Sequence, residues 1–196
     1  LYAEISELKK EVLEILELER DQQSLMKQAL HGLYEEDKIK LISHNEKHFV
    51  TLTRYYYSEK SVGDKIKYLV EKSPPLSFDV NTIYDQLRKE STTDTIALNE
   101  DQQRGIISCL TNKVSIITGG PGTGKTTLIK KLLSILEQQH ATYKLAAPTG
   151  RAAKRIIEGT GKHALTLHRL LEFDVSNMQF ARNEQHTLQL DFLIID

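Results

Sequence analysis

Residues 119–126 read Gly-Gly-Pro-Gly-Thr-Gly-Lys-Thr: a glycine, four residues, then Gly-Lys-Thr. That spacing is the phosphate-binding P-loop. It constrains the fold because the loop works only between a strand and a helix. Ahead of it, Val114, Ser115, Ile116, Ile117 and Thr118 form a short apolar, β-branched run that reads as a buried strand. Behind it, Leu128, Ile129, Leu132, Leu133 and Leu136 recur at helical spacing. Gly119, Gly120, Gly122 and Gly124 permit backbone conformations that a Cβ forbids. Successive N–H groups can then turn inward onto phosphates, and the start of the following helix adds partial positive charge. Pro121, Thr123 and Thr127 complete the expected nucleotide-binding stretch. In this reading Lys125 reaches the β- and γ-phosphates of ATP and acts catalytically, while the Thr126 hydroxyl ligates Mg2+. A glycine-rich turn with a chance Lys-Thr would match the bare pattern but not its flanks.

The bulk numbers narrow the setting. The chain has 196 residues, enough for one large domain or two small ones, and is 39% apolar and 27% charged. No apolar run is long enough to span a membrane, so no membrane association is expected. Cys109 is the only cysteine, which excludes an internal disulfide and fits a reducing, cytoplasmic location. Within Ile106, Ile107, Ser108, Cys109 and Leu110 it reads as packing rather than chemistry. Net charge is −1 overall but −4 over residues 1–97 and +3 over residues 98–196. Neither half binds polyanions by charge alone, so any nucleic-acid contact must come from local placement. The chain begins at Leu1 and closes on Asp196 straight after an apolar run, which reads as a piece of a longer protein.

Residues 1–72 are expected to form a small α+β region. Amphipathic helices are predicted over 5–18 (Ile5, Leu8, Val12, Ile15, Leu16) and 24–36 (Leu25, Met26, Ala29, Leu30, Leu33). A β-hairpin follows, from runs 38–42 and 48–52 around residues 43–47. A third helix over 54–71 carries Tyr55, Val62, Ile66, Leu69 and Val70. Helix, helix and hairpin outline a winged-helix-like unit. At this net charge, packing is favoured over DNA binding. Tyr55, Tyr56 and Tyr57 could stack on bases, but a helix start with one or two buried rings explains them as well. Ser73, Pro74 and Pro75 mark a boundary, and residues 73–97 read as a linker with a short helix over 78–90.

From Leu98 onward strands alternate with helices: strands at 114–118, 143–147 and 191–196, helices at 99–110, 125–138, 150–158 and 167–172. The fold class is therefore α/β, a parallel sheet flanked by helices. Its ligands are expected at the carboxyl ends of the strands.

Four further segments narrow the reading. Leu98, Asn99, Glu100, Asp101 and Gln102 contain a capping box, Asn99 with Gln102, so Gln102 has a local reason to be there. Pro148, Thr149, Gly150 and Arg151 follow a strand and lead into Ala152, Ala153, Lys154 and Arg155. A hydroxyl and helix N-terminal N–H groups at a strand end can hold a phosphate of single-stranded DNA. A solvated helix face would also account for Arg151, Lys154 and Arg155. Thr166, Leu167, His168, Arg169, Leu170 and Leu171 form the third segment. Leu193, Ile194, Ile195 and Asp196 look like the start of a Walker B strand, whose carboxylate holds Mg2+ through water.

In this order these segments resemble the RecD/TraA family of superfamily 1 DNA helicases, over residues 98–196. The wording is closer to stand-alone RecD-like helicases than to the RecD subunit (exodeoxyribonuclease V α-subunit) of a nuclease complex. The resemblance implies a partial RecA-like P-loop NTPase domain. Gln102 would read adenine, a role compatible with capping. Pro148, Thr149, Gly150, Arg151, Thr166 and His168 would contact single-stranded DNA, and Asp196 would be a catalytic Mg2+ holder. The activity implied is ATP-driven 5′-to-3′ unwinding of 5′-tailed duplexes in repair or recombination, with nuclease-complex subunits or a single-strand-binding protein as partners. The glutamate that follows the Walker B aspartate in the family, and the second RecA-like domain, are not among these residues. The 196 residues alone are therefore expected to be inactive. A Pif-type helicase shares the P-loop but differs around Thr166 and Leu171. A RecD-like subunit that binds ATP within an exonuclease complex is the other alternative.

Overall fold

The computed structural model describes residues 2–17, 23–72, 78–93 and 98–196. The break at Ser73, Pro74 and Pro75 lies outside them. The chain divides into two compact units, Leu1–Ser73 and Pro74–Asp196.

In the first unit, β1 (Ala3–Glu4) leads into α1 (Ile5–Ile15). α2 (Gln23–Glu35), β2 (Ile39–His44), β3 (Lys47–Leu52) and α3 (Thr53–Lys72) follow. The predicted hairpin is present. Asn45 and Glu46 both take positive φ, 48° and 62°, as a two-residue hairpin turn with matching twist requires. β1 adds a third strand, antiparallel to β3, through Ala3 opposite Val50. It is too short for sequence periodicity to reveal.

The apolar positions expected as the buried stripe of α3 are instead exposed: Tyr55, Val62, Ile66, Leu69 and Val70. The reason is length. A 20-residue helix extends ~30 Å, whereas six-residue strands span ~20 Å. Among the described side chains of α3, only Thr53 and Tyr56, at the helix start, are half-buried. Tyr55 stacks beneath the Arg54 guanidinium at 4.7 Å and Tyr57 beneath the Lys40 ammonium at 5.4 Å.

In the second unit, α4 (Val80–Thr93), α5 (Glu100–Thr111) and α6 (Lys125–Gln138) precede β4 (Tyr143–Ala147) and α7 (Gly150–Thr160). Then come β5 (Ala164–Thr166), α8 (Leu167–Leu170), β6 (Phe173–Asp174), β7 (Gln179–Phe180) and β8 (Phe192–Ile195). The sheet runs β5-β4-β8, all parallel, with β4 central. α6 is the pivot of the core. Leu128, Leu132 and Leu136 pack with Leu98, Ile106 and Leu110 and with Ile83 and Leu87 of α4. Leu133 turns the other way, onto Leu145, Ala147, Ala153 and Ile156. A fully buried leucine contributes on the order of 1.5–3 kcal/mol, so these contacts set the height of the α6 N-terminus against the sheet. α4, expected in a linking stretch, belongs to this core.

Two expectations fail together. Residues 114–118 form no strand, and Ile116 is 85% exposed. β8, expected to be buried, leaves Leu193 and Ile195 exposed. An apolar β-branched run favours a strand only where a ladder partner is within reach. Here a cavity of about 220 Å3 lies between Ser115 and Ile117 on one side and β8 on the other. Among the described residues β8 therefore pairs with β4, and no strand lies along its other edge.

Candidate nucleotide-binding site

The P-loop leads into α6 through Gly124, whose φ of 83° only glycine adopts without strain. Gly122 is also left-handed, at 73°. A Cβ on Gly119 would lie 2.6 Å from Thr123 Oγ1, and one on Gly124 would run into the Gln102 side-chain amide. Gly122 and Gly124 are thus required by their left-handed backbone, while a Cβ at Gly120 would make only ordinary contact. Thr123 Oγ1 donates to the Gly120 carbonyl at 2.9 Å. Lys125 Nζ donates to the Gly119 and Gly120 carbonyls, both at 2.7 Å. Its ammonium lies over the loop, where a phosphate oxygen can replace carbonyl partners with a charge-assisted bond.

Lys125 and Asp196 both line the cavity that runs along the outer edge of β8, from Asp191 to Asp196. Asp196 continues the parallel ladder, its N–H donating to the Ala146 carbonyl at 3.1 Å. The start of β8 is pinned by Asp191. Its carboxylate accepts from the Thr142 backbone N–H and hydroxyl, each at 2.7 Å. The backbone bond first, then the hydroxyl, holds the Asp191 carboxyl below its ordinary range.

Hard oxygen donors suit Mg2+, and Thr126 and Asp196 are of that kind. The structure does not bring them together in one cavity lining. Thr126 turns its methyl toward α7: a Cβ on Gly159 would lie 2.6 Å from it. Thr127 is half-buried, while Pro121 and Gly120 are exposed at the loop surface. Cys109 fits its packing role, since burial pushes its thiol pKa up.

Gln102 caps α5 as expected. Its Oε1 accepts from the Asn99 N–H at 3.0 Å, while Asn99 Oδ1 accepts from the Gln102 N–H at 2.8 Å. It also does what the sequence did not reveal: Nε2 donates to the Thr123 carbonyl at 3.0 Å.

The residues expected on DNA meet at the carboxyl edge of the sheet. Ala147 pairs with Thr166 across β4 and β5, so Pro148 and Thr149 leave the sheet beside Thr166. Both threonines are helix caps: Thr149 Oγ1 accepts from Ala152 N–H at 3.2 Å and Thr166 Oγ1 from Arg169 N–H at 3.3 Å. Capping uses an acceptor lone pair and leaves each hydroxyl proton free to donate. Gly150 and Thr166 line one cleft of about 370 Å3 with Lys154 and Arg169. Arg169, a cation in this cleft, was not singled out from sequence, because facing across two elements leaves no local pattern. His168 does not join Thr166 there. Its ring packs edge-on against Phe173 at 5.3 Å and lies 5.7 Å from Phe180, on the β6–β7 hairpin. Arg151 lies on the exposed face of α7.

Residues 102–196 match the AAA domain family. The chain is 33% identical over 171 residues to the RecBCD enzyme subunit RecD of Mycolicibacterium smegmatis, covering 74% of this chain and 29% of that protein. It is 32% identical over 173 residues to the RecBCD enzyme subunit RecD of Haemophilus influenzae, covering 73% and 26%. The chain is RecD-like. A third relative, the ATP-dependent RecD2 DNA helicase of Deinococcus radiodurans, is 37% identical over 99 residues, covering 50% of this chain and 14% of that protein. The RecD-like chain therefore spans less than a third of the length of the curated relatives it matches. Residues 98–196 make up only about half of the chain, so the two longer alignments also reach into residues 1–97, further than the motif resemblance did.

Proposed function

We propose that this RecD-like chain forms the nucleotide-holding part of an ATP-driven DNA helicase that moves 5′ to 3′ on single strands. The observation that carries the reading is the loop itself, with Lys125 Nζ over the Gly119 and Gly120 carbonyls and left-handed Gly122 and Gly124, beside a cavity that both Lys125 and Asp196 line. Bound Mg–ATP supplies the phosphoanhydride bond whose cleavage drives the motor. On binding, Lys125 would neutralise phosphate charge, the loop amides would orient it and Gln102 would face the base, while Thr126 and Asp196, which line no common cavity in this structure, would have to be drawn together to hold the metal. Single-stranded DNA lies along Pro148, Thr149, Gly150, Arg151 and Thr166, bound by its backbone rather than its bases. His168 meets the strand from the hairpin side. The setting is cytoplasmic repair or recombination. Among the described residues no helix is long and apolar enough to cross a membrane.

A second reading has its own support: the longer alignments are to RecBCD subunits. In that reading the chain works within a nuclease complex, and partner subunits co-purify with it. The test uses the full-length protein that contains these residues. Stimulation of its ATPase by single strands, with unwinding of 5′-tailed but not 3′-tailed duplexes, supports the first reading. Unwinding from 3′ tails would overturn the direction. ATPase without unwinding until nuclease subunits are added would favour the second.

A further inference from the structure

Among the described residues, four side-chain hydrogen bonds hold carbonyls of the P-loop. Three close within the loop and its own lysine: Thr123 Oγ1 to Gly120, and Lys125 Nζ to Gly119 and to Gly120. The fourth comes from another element, Gln102 Nε2 on the Thr123 carbonyl at 3.0 Å. Its origin is firm because the same side chain is fixed at its other end, Oε1 accepting from Asn99 N–H. The amide also lies against Gly124, where an added Cβ would strike it. Thr123 and Gly124 form the corner at which the loop becomes α6, and Gly124 is left-handed there. When an anion draws the Lys125 ammonium off the Gly119 and Gly120 carbonyls, two of the internal bonds are lost. The bond from Gln102 is not.

We infer that Gln102 is a positioning residue of the phosphate loop. Anchored by the capping box of α5, its amide N–H holds the Thr123 carbonyl, and with it the corner that aims the loop amides at an anion, whatever base the nucleotide carries. This rests on the proposal that the loop binds nucleotide, but it differs from base reading. One N–H of the carboxamide serves the loop, and a second N–H and a lone pair remain for other partners.

The test compares probes with and without a base: MgATP, MgGTP and Mg-tripolyphosphate, titrated calorimetrically into the purified chain. Gln102→Met removes the donor without adding charge. It should weaken Mg-tripolyphosphate about tenfold, and MgATP and MgGTP by at least that factor. Asn99→Ala is the control for helix capping alone: it should lower Tm while tripolyphosphate affinity holds. Loss confined to ATP would overturn the inference in favour of base reading. So would an equal loss of tripolyphosphate affinity in Asn99→Ala. Should Gln102→Met fail to fold, Gln102→Glu keeps the cap acceptor and lacks the donor. Its loss of tripolyphosphate affinity should persist at high salt, where a through-space charge effect fades, and a loss that vanishes with salt counts against the inference. A second arm needs no ligand. Amide exchange at residues 123–126 should speed up in the variant while the interior of α5 stays protected. Unchanged exchange overturns the inference. If the wild-type chain binds none of the three probes, the nucleotide reading fails, and this arm alone decides the role of Gln102.

Discussion

α6 and α7 both belong to the second unit and each starts at or just after a glycine, yet their N-termini are built in opposite ways. α7 is closed by its own chain: Thr149 caps it through a bond from Ala152 N–H. α6 has no side-chain cap, and its first residue follows a left-handed glycine. A helix begins with four N–H groups that lack internal partners. In α7 one is satisfied locally and the hydroxyl that does so keeps its own proton. In α6 they are left to the glycine loop and to whatever anion it holds. Under the proposed function the contrast would separate two kinds of phosphate recognition, a cradle for a triphosphate and a capped edge that touches one phosphate of a strand.

The largest effect should come from closing the open end. Gly124→Ala forces a left-handed alanine, a strain of ~1–2 kcal/mol, and drives a Cβ into the Gln102 amide. Nucleotide binding, measured by calorimetry, should be lost while the helical circular-dichroism signal survives. Retained affinity would show that the loop does not need this corner.

Opening the closed end should do less. Thr149→Ala removes the α7 cap at a cost of about 1 kcal/mol, read as a lower denaturation midpoint. In the full-length protein it should weaken single-strand binding uniformly across sequences, and it should create no new nucleotide site. Sequence-dependent weakening would assign Thr149 to base readout instead.

The smallest effect concerns the strand that delivers Asp196. The Asp191 carboxyl titrates below its ordinary 3.8 in the folded chain, so its bonds to Thr142 stabilise the fold above that value. This stability is lost as pH falls through the lower, folded pKa. Asp191→Asn should remove that part of the acid sensitivity, seen as a flatter Tm-versus-pH curve at the acid end. An unchanged curve would take Asp191 out of the account.

How much of this could be read from the residues depended on the range of each interaction. α5, α6, β4 and α7 are long enough for periodicity, and the capping box of Asn99 and Gln102 closes within four residues, so all were legible. β5 has three residues and β6 and β7 two each, too few for any period. Residues 114–118 have the composition of a strand, but pairing is a tertiary property that composition does not carry. The same limit hid the exposure of the α3 stripe, which depends on how far the hairpin extends beneath it. In the site, the P-loop was legible because its chemistry lies in consecutive residues. That His168 faces Phe173 and Phe180, that Thr126 turns a methyl toward Gly159, and that Gln102 reaches the Thr123 carbonyl depend on elements meeting in space.

The most direct test of the central claim is titration of MgATP into the purified chain and into Lys125→Ala. Lys125 lies over the loop on two carbonyls and lines the cavity that Asp196 also lines, and its removal touches no core contact. The account predicts saturable binding with a matching rise in Tm for the wild-type chain, and loss of both the binding and the rise in the variant. Equal binding by the two proteins would contradict it.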